Sequence, residues 1–337
     1  MQKDHQATIF EIVKHKINKT ESLGDAVGEV LSLGQDAVYR RYRGETLLTI
    51  YELEKLCAHY SISMDAIFES RDSKVIFDFQ PLDNFDYTLE GYLKTLAAGF
   101  KQIKSHKDSK LMLSINNTHF LQLLNFPHLV RFKLYFWART YLNVKEYQGK
   151  PLTHQKVTEA QITPGWEILR AYISIPSKEL FDPEFFRGFT REILYYFNAR
   201  LFEDPSYALF LLDHLLQCVE HIKQQAAIGK KFIVKTEPPA SGNEYEVYLN
   251  DTLNGITSTY YKTGEHEGFY MAHNIMNTIH TTDKGYVADS LNVLDRQFAN
   301  SSKISGVNEK ERNNFFHKLE TTIKKAKRQI ELELMED

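Results

Sequence analysis

Over the first seventy residues, apolar side chains recur every three or four positions in five short segments. Ile9, Phe10, Val13 and Ile17 share one face of a helix predicted over about 6–17. Leu23, Ala26, Val27, Val30 and Leu31 mark a second, with Ser22 placed to cap it. A third spans about 35–43 and stops at Gly44, where a left-handed residue suits a helix end. The fourth runs from Thr49, another capping residue, to Tyr60 and turns Leu53, Leu56, Cys57 and Tyr60 inward. Residues 63–68 open a last short helix. The polar stretch 69–74 has no large apolar side chain and is the predicted boundary, giving domains at 1–70 and 75–337.

Beyond it, 75–79 reads as extended. Leu89, Tyr92, Leu93, Leu96, Phe100 and Ile103 line an amphipathic helix, and 111–115 a short strand. Helices are predicted at about 117–125, 128–142, 155–173, 183–202 and 206–227. The character then turns to β-branched and aromatic residues at 232–234, 246–249, 256–261 and 269–272, with an Asn-Gly turn at 254–255. The expectation is a mainly α chain whose small antiparallel sheet is confined to the C-terminal third, around 231–272. Helices are predicted again at 273–279 and 287–299. The chain closes on a charged helix, 308–334, where Phe316, Leu319, Ile323, Ala326 and Ile330 alternate spacings of three and four. That seam serves either self-association or packing on its own chain.

Composition narrows the function classes. Of 337 residues, 42% are hydrophobic and 13% aromatic, enough for a buried core. A net charge of −3 gives no global attraction to nucleic acid or anionic membrane, so any DNA contact needs a local basic face. The N-terminus lacks the apolar run of a signal peptide, and no stretch is long and apolar enough to span a membrane. A cytoplasmic protein is expected. Its two cysteines, Cys57 and Cys218, read as small core residues.

The chemistry sits in the second and third helices. A helix-turn-helix needs a small residue where its helices cross, apolar residues flanking the turn, and a polar outward face on the second helix. Gly28 is that small residue, Leu31 and Leu33 flank the turn, and Val38 anchors the second helix; Ser32 stands where glycine is usual. Gln35, Asp36, Tyr39, Arg40 and Arg43 then share a polar face. Gln can bond adenine twice, Arg can fork onto guanine or phosphate, and Tyr can stack or donate to phosphate. Basic residues cluster at Lys14, Lys16, Lys19 and 40–43. Yet residues 1–74 carry ten Lys and Arg against twelve Asp and Glu.

The run Val30-Leu31-Ser32-Leu33-Gly34-Gln35-Asp36-Ala37-Val38-Tyr39-Arg40-Arg41-Tyr42-Arg43-Gly44, continued by Leu53, Leu56, Ile62, Ser63, Ile67 and Phe68, resembles the phage-repressor and Cro class, the XRE family. The resemblance implies a five-helix lambda-repressor-like domain, with bases read by Gln35, Asp36 and Arg40 and phosphate held by Arg43. Lys19 and Tyr39 complete the candidate set. Arg41 departs from the family's aliphatic residue, so Tyr42 is expected to pack inward instead. The remainder resembles uncharacterised bacterial two-part regulators.

The expected function is therefore a non-catalytic, sequence-specific DNA-binding transcription regulator with no cofactor. Its partners would be double-stranded DNA, a second copy reading the other half-site, and a small-molecule effector. The rivals are an interaction module that has lost DNA binding and a small-molecule binder or enzyme with a DNA-binding appendage. Other constellations carry less. His214 and His221 are two helical turns apart, 264–268 reads as a polar hairpin loop, and no metal, nucleophile or phosphate-loop motif occurs. The run Phe132, Tyr135, Phe136, Trp137 and Tyr141 reads as a buried helix whose basic residues extend to solvent.

Overall fold

The computed structural model describes residues 5–17, 21–64, 67, 75–79, 88–153, 156–252, 255–274 and 277–336. The chain divides into two compact units, Met1–Ile76 and Phe77–Asp337.

In the first unit, helices α1 (His5–Lys16), α2 (Leu23–Leu31), α3 (Gln35–Tyr42) and α4 (Ile50–His59) close on one core. Ile9, Phe10, Val13, Leu23, Val27, Leu31, Val38, Leu56, Ile62 and Ile67 form it. Helix starts follow the predicted caps. The Ser22 hydroxyl accepts from Asp25 N–H, and Thr49 with Glu52 forms a reciprocal capping box. Gln6 ties α1 to the loop after α3: its side chain donates to the Arg41 and Thr46 carbonyls and accepts from Leu48 N–H. The helix predicted at 63–68 falls largely outside the described residues, as do the predicted boundary at 69–74 and Lys19.

The second unit overturns the expected sheet. Its described strands form one eight-stranded mixed sheet, ordered β1-β7-β6-β5-β2-β3-β4-β8. The strands are β1 (Asp78–Phe79), β2 (Lys110–Ile115), β3 (Ser177–Phe181), β4 (Tyr245–Leu249), β5 (Ser258–Thr263), β6 (His266–Ala272), β7 (Thr278–Thr281) and β8 (Ser302–Lys303). The central pairs β2–β3 and β3–β4 are parallel, so the sheet is neither small, wholly antiparallel nor confined to the C-terminal third. Parallel neighbours require crossovers, and helices supply them. Between β2 and β3 lie α6 (Phe120–Leu123), α7 (Pro127–Thr140), α8 (Glu159–Ile162) and α9 (Pro164–Ser174). Between β3 and β4 lie α10 (Arg187–Asn198) and α11 (Ser206–Ile228).

Both faces of the sheet are covered, and the strands alternate accordingly. Leu111, Leu113, Phe181, Tyr245 and Val247 face the large helical layer, which also includes α5 (Leu89–Ile103). Met112, Leu180, Tyr260 and Phe269 face α12 (Lys284–Ala299) through Val287, Leu294 and Phe298. The C-terminal helix α13 (Glu309–Glu336) buries Phe316, Leu319, Ile323, Ala326 and Ile330 in the large core of its own chain. It packs along α10 and α11, and Lys327 Nζ donates to Asp213 Oδ1 at 2.5 Å.

Other differences have local causes. The helix predicted over 155–173 is interrupted at Thr163–Pro164, because proline lacks the N–H that continues a helix. That predicted over 183–202 begins only at Arg187, after Phe186 takes a left-handed conformation (φ 57°). Residues 232–234 form no strand, and β7 replaces the end of the helix expected at 273–279, whose residues 275–276 lie outside the described set.

Candidate nucleic-acid interface

The α2–turn–α3 segment is held by a close backbone approach. A Cβ on Gly28 would stand 2.7 Å from the Leu33 carbonyl oxygen, nearer than real contacts allow. Leu33 N–H in turn donates to Gly28 O at 3.0 Å. Ser32 takes the left-handed turn position (φ 56°) that glycine would occupy without strain. Val38, fully buried, fixes which face of α3 points inward.

That leaves Gln35, Asp36, Arg40 and Arg43 exposed on the outward side. Tyr39, expected on the same face, is half-buried. Its ring lies so close to α2 that a Cβ on Gly24 would meet Cε2 at 3.0 Å. Gln35 donates to Asp25 Oδ1 at 2.5 Å, linking the first turns of α2 and α3. Asp25 is held below the usual carboxylate range by its bonds from Ser22 and Gln35.

The arginines of α3 differ in availability. Arg41 turns back to Glu52 Oε1 (2.7 Å) and the Ala37 carbonyl (3.1 Å), leaving 14% of its side chain exposed. Tyr42 takes up inward packing, its ring edge-on to Phe10 at 5.8 Å under the Lys14 ammonium. Arg43 forks onto Glu45 at 2.6 and 3.1 Å, which depresses the carboxyl of Glu45. Among the described residues Arg40 has no ion-pair partner.

Sequence reasoning missed a second polar assembly, in the core of the second unit. Glu179, on β3, accepts from Tyr172 (2.6 Å) and Ser177 (2.9 Å) on Oε1. On Oε2 it accepts from Tyr245 (3.1 Å) and lies 2.7 Å from His119 Nε2. Lys231 Nζ donates to Ile175 O (2.6 Å) and Ser177 Oγ (2.8 Å) and sits 4.1 Å over the Tyr172 ring. Gln122 joins Tyr172 (3.2 Å) to Gln225 (2.7 Å), and Gln225 reaches His221 and the Phe232 carbonyl.

Burial pushes the Glu179 carboxyl up, but His119, Lys231 and Tyr172 outweigh it and hold it down at about 2. Burial brings the Lys231 ammonium down to about 7, with Glu179 and Glu244 opposing. Burial and the nearby Glu179 charge raise the hydroxyls of Tyr172 and Tyr245. No side chain of the assembly is more than 5% exposed, so the assembly orders the core.

Cys218 is buried and Cys57 half-buried. His214 and His221 bond the carbonyls of Phe210 and Phe232, and no group of three metal-ligating side chains occurs among the described residues. Residues 264–265 form the turn between β5 and β6. Phe132, Tyr135, Phe136 and Trp137 are core, but Lys133 does not extend to solvent as expected. It is buried and bonded to both oxygens of Glu192 (2.6 and 2.7 Å). Among the described residues, no helix is long and apolar enough to cross a membrane. Comparisons with protein-family models, curated proteins and solved structures give no significant match.

Proposed function

We propose that α2 and α3 form a DNA-reading helix-turn-helix and that the protein is a sequence-specific transcription regulator of the cytoplasm. The observation carrying this is the outward face of α3. Gln35, Asp36, Arg40 and Arg43 stand free of the core on a helix that Val38 and Gly28 lock against α2. Gln35 and Asp36, at the start of α3, enter the major groove first, and Arg40 follows one turn later to a base edge. Arg43 exchanges Glu45 for a phosphate. One eight-residue helix offers few base contacts, so two copies reading half-sites about 34–36 Å apart supply affinity.

Selection of duplexes from a random pool, followed by titration against salt, tests this. Arg40→Ala costs roughly 1–3 kcal/mol on the selected site and relaxes its sequence preference. Arg43→Ala weakens all duplexes alike and reduces the salt slope by about one. If no site is enriched, or both variants bind like the parent at low and high salt, α3 does not read DNA. The unit is then a protein-interaction module, a reading favoured by the ion pairs that already occupy Arg41 and Arg43.

A further inference from the structure

The second unit contains a cleft of about 550 Å³ between α10 and α13, within the size range of small-ligand sites. Its back wall is apolar: Phe186, Leu194, Leu319 and Ile323 line it. Its rim is cationic. Arg187 and Arg191 stand one turn apart on α10, and Lys325 faces them from α13. Among the described residues, no acidic side chain lines the cleft. Glu184, just outside it, pairs with Arg187 at 2.6 Å, leaving Arg191 and Lys325 without an ion pair among the described residues. In a chain of net charge −3, that concentrates positive charge at one concave site.

We propose that this cleft binds a compact organic anion. A phosphate or carboxylate group would sit on Arg191, Lys325 and Arg187, and a small apolar body would lie against Leu194, Leu319 and Ile323. Arginine's planar fork matches the oxygens of either headgroup, and lysine adds a point charge. The cations select for charge, while the wall distinguishes an organic anion from a bare inorganic one. This assignment is independent of DNA reading by α3, because it concerns α10 and α13 alone.

Calorimetric titration of the full chain with hexyl phosphate, hexanoate, hexanol and inorganic phosphate tests it. Hexyl phosphate or hexanoate binds saturably at one site, and hexanol does not bind. Whichever anion binds more tightly identifies the headgroup. The variant Arg191→Gln/Lys325→Gln changes two exposed side chains, keeps the parent's melting temperature, and weakens binding at least roughly tenfold, about 1.4 kcal/mol. Absence of saturable binding by both organic anions overturns the proposal. So does equal affinity in the variant, or inorganic phosphate binding as tightly as its hexyl ester. Short duplex DNA competing with hexyl phosphate for the same side chains would assign the cations to a nucleic-acid backbone and overturn it too.

Discussion

Gly28→Val places a Cβ 2.7 Å from the Leu33 carbonyl oxygen and its methyls toward Val38, whose Cγ2 lies 3.9 Å from that Cβ. Ordinary contact begins at 3.4 Å, so the gap between 2.7 and 3.4 Å, 0.7 Å, must come from movement of the turn. The obstructing atom is backbone, and no rotamer change removes it. Overpacking of this kind costs about 1–3 kcal/mol. Leaving glycine inside a helix returns only about 0.4 kcal/mol, the difference between its propensity and that of valine. In a unit this small each kcal/mol lowers the melting temperature by about 4–8 °C, so a fall on the order of 5–20 °C is expected. Scanning calorimetry of the full chain reads it, since the two units have separate cores and only the first transition should move. Gly34→Ala is the control, because no atom lies within 4 Å of its added Cβ. An unmoved first transition in Gly28→Val would refute the close approach. Lost duplex binding with unchanged melting would instead make Gly28 a DNA-facing residue.

Two further outcomes concern the second unit. Glu179 is held at about 2 against 4.5 when unpaired, so its contribution is fully present above pH 4.5 and is lost as pH falls toward 2. That window is worth about 3 kcal/mol and should be absent from Glu179→Gln, which also loses about 3–5 kcal/mol at neutral pH by breaking the buried Glu179–His119 pair; denaturant melts across pH check both. Lys133→Met leaves Glu192 without its partner and costs about 3–5 kcal/mol, most of which returns in Lys133→Met/Glu192→Leu; a double variant as unstable as the single would contradict the reading of that pair.

The first unit was largely legible because its signals are local. Ser22, Thr49 and Gly44 act within a turn of where they stand, and the spacing of Leu53, Leu56 and Cys57 belongs to one helix. What depended on distant partners was not. Tyr39 looked like part of the outward face because nothing in its own helix announces that Gly24 lets the ring settle against α2. In the second unit β3 was missed because its centre is Glu179, a charge that reads as a surface residue until His119, Tyr172, Ser177 and Tyr245 surround it. The sheet was misjudged for the same reason. β2 was visible as a short apolar run, but its parallel partner lies more than sixty residues away, beyond several helices. Lys133 likewise reads as a surface cation from its own helix, because Glu192, which neutralises it, sits on another.

The edge strand β1 has a bearing on how the chain is made. Among the described strands it pairs with β7 alone, and Asp78 and His280, opposite each other there, are 202 positions apart. A ribosome adding about 5–20 residues per second therefore leaves β1 unpaired for roughly 10–40 s after it emerges. The described core of the first unit draws only on residues between Ile9 and Ile67, all of which have been made by then. The sheet cannot close in that interval, since β2 and β3 must also wait for β5 and β4. Nascent chains stalled before residue 278 would expose unfilled strand edges flanked by aromatic helices, a natural substrate for chaperones.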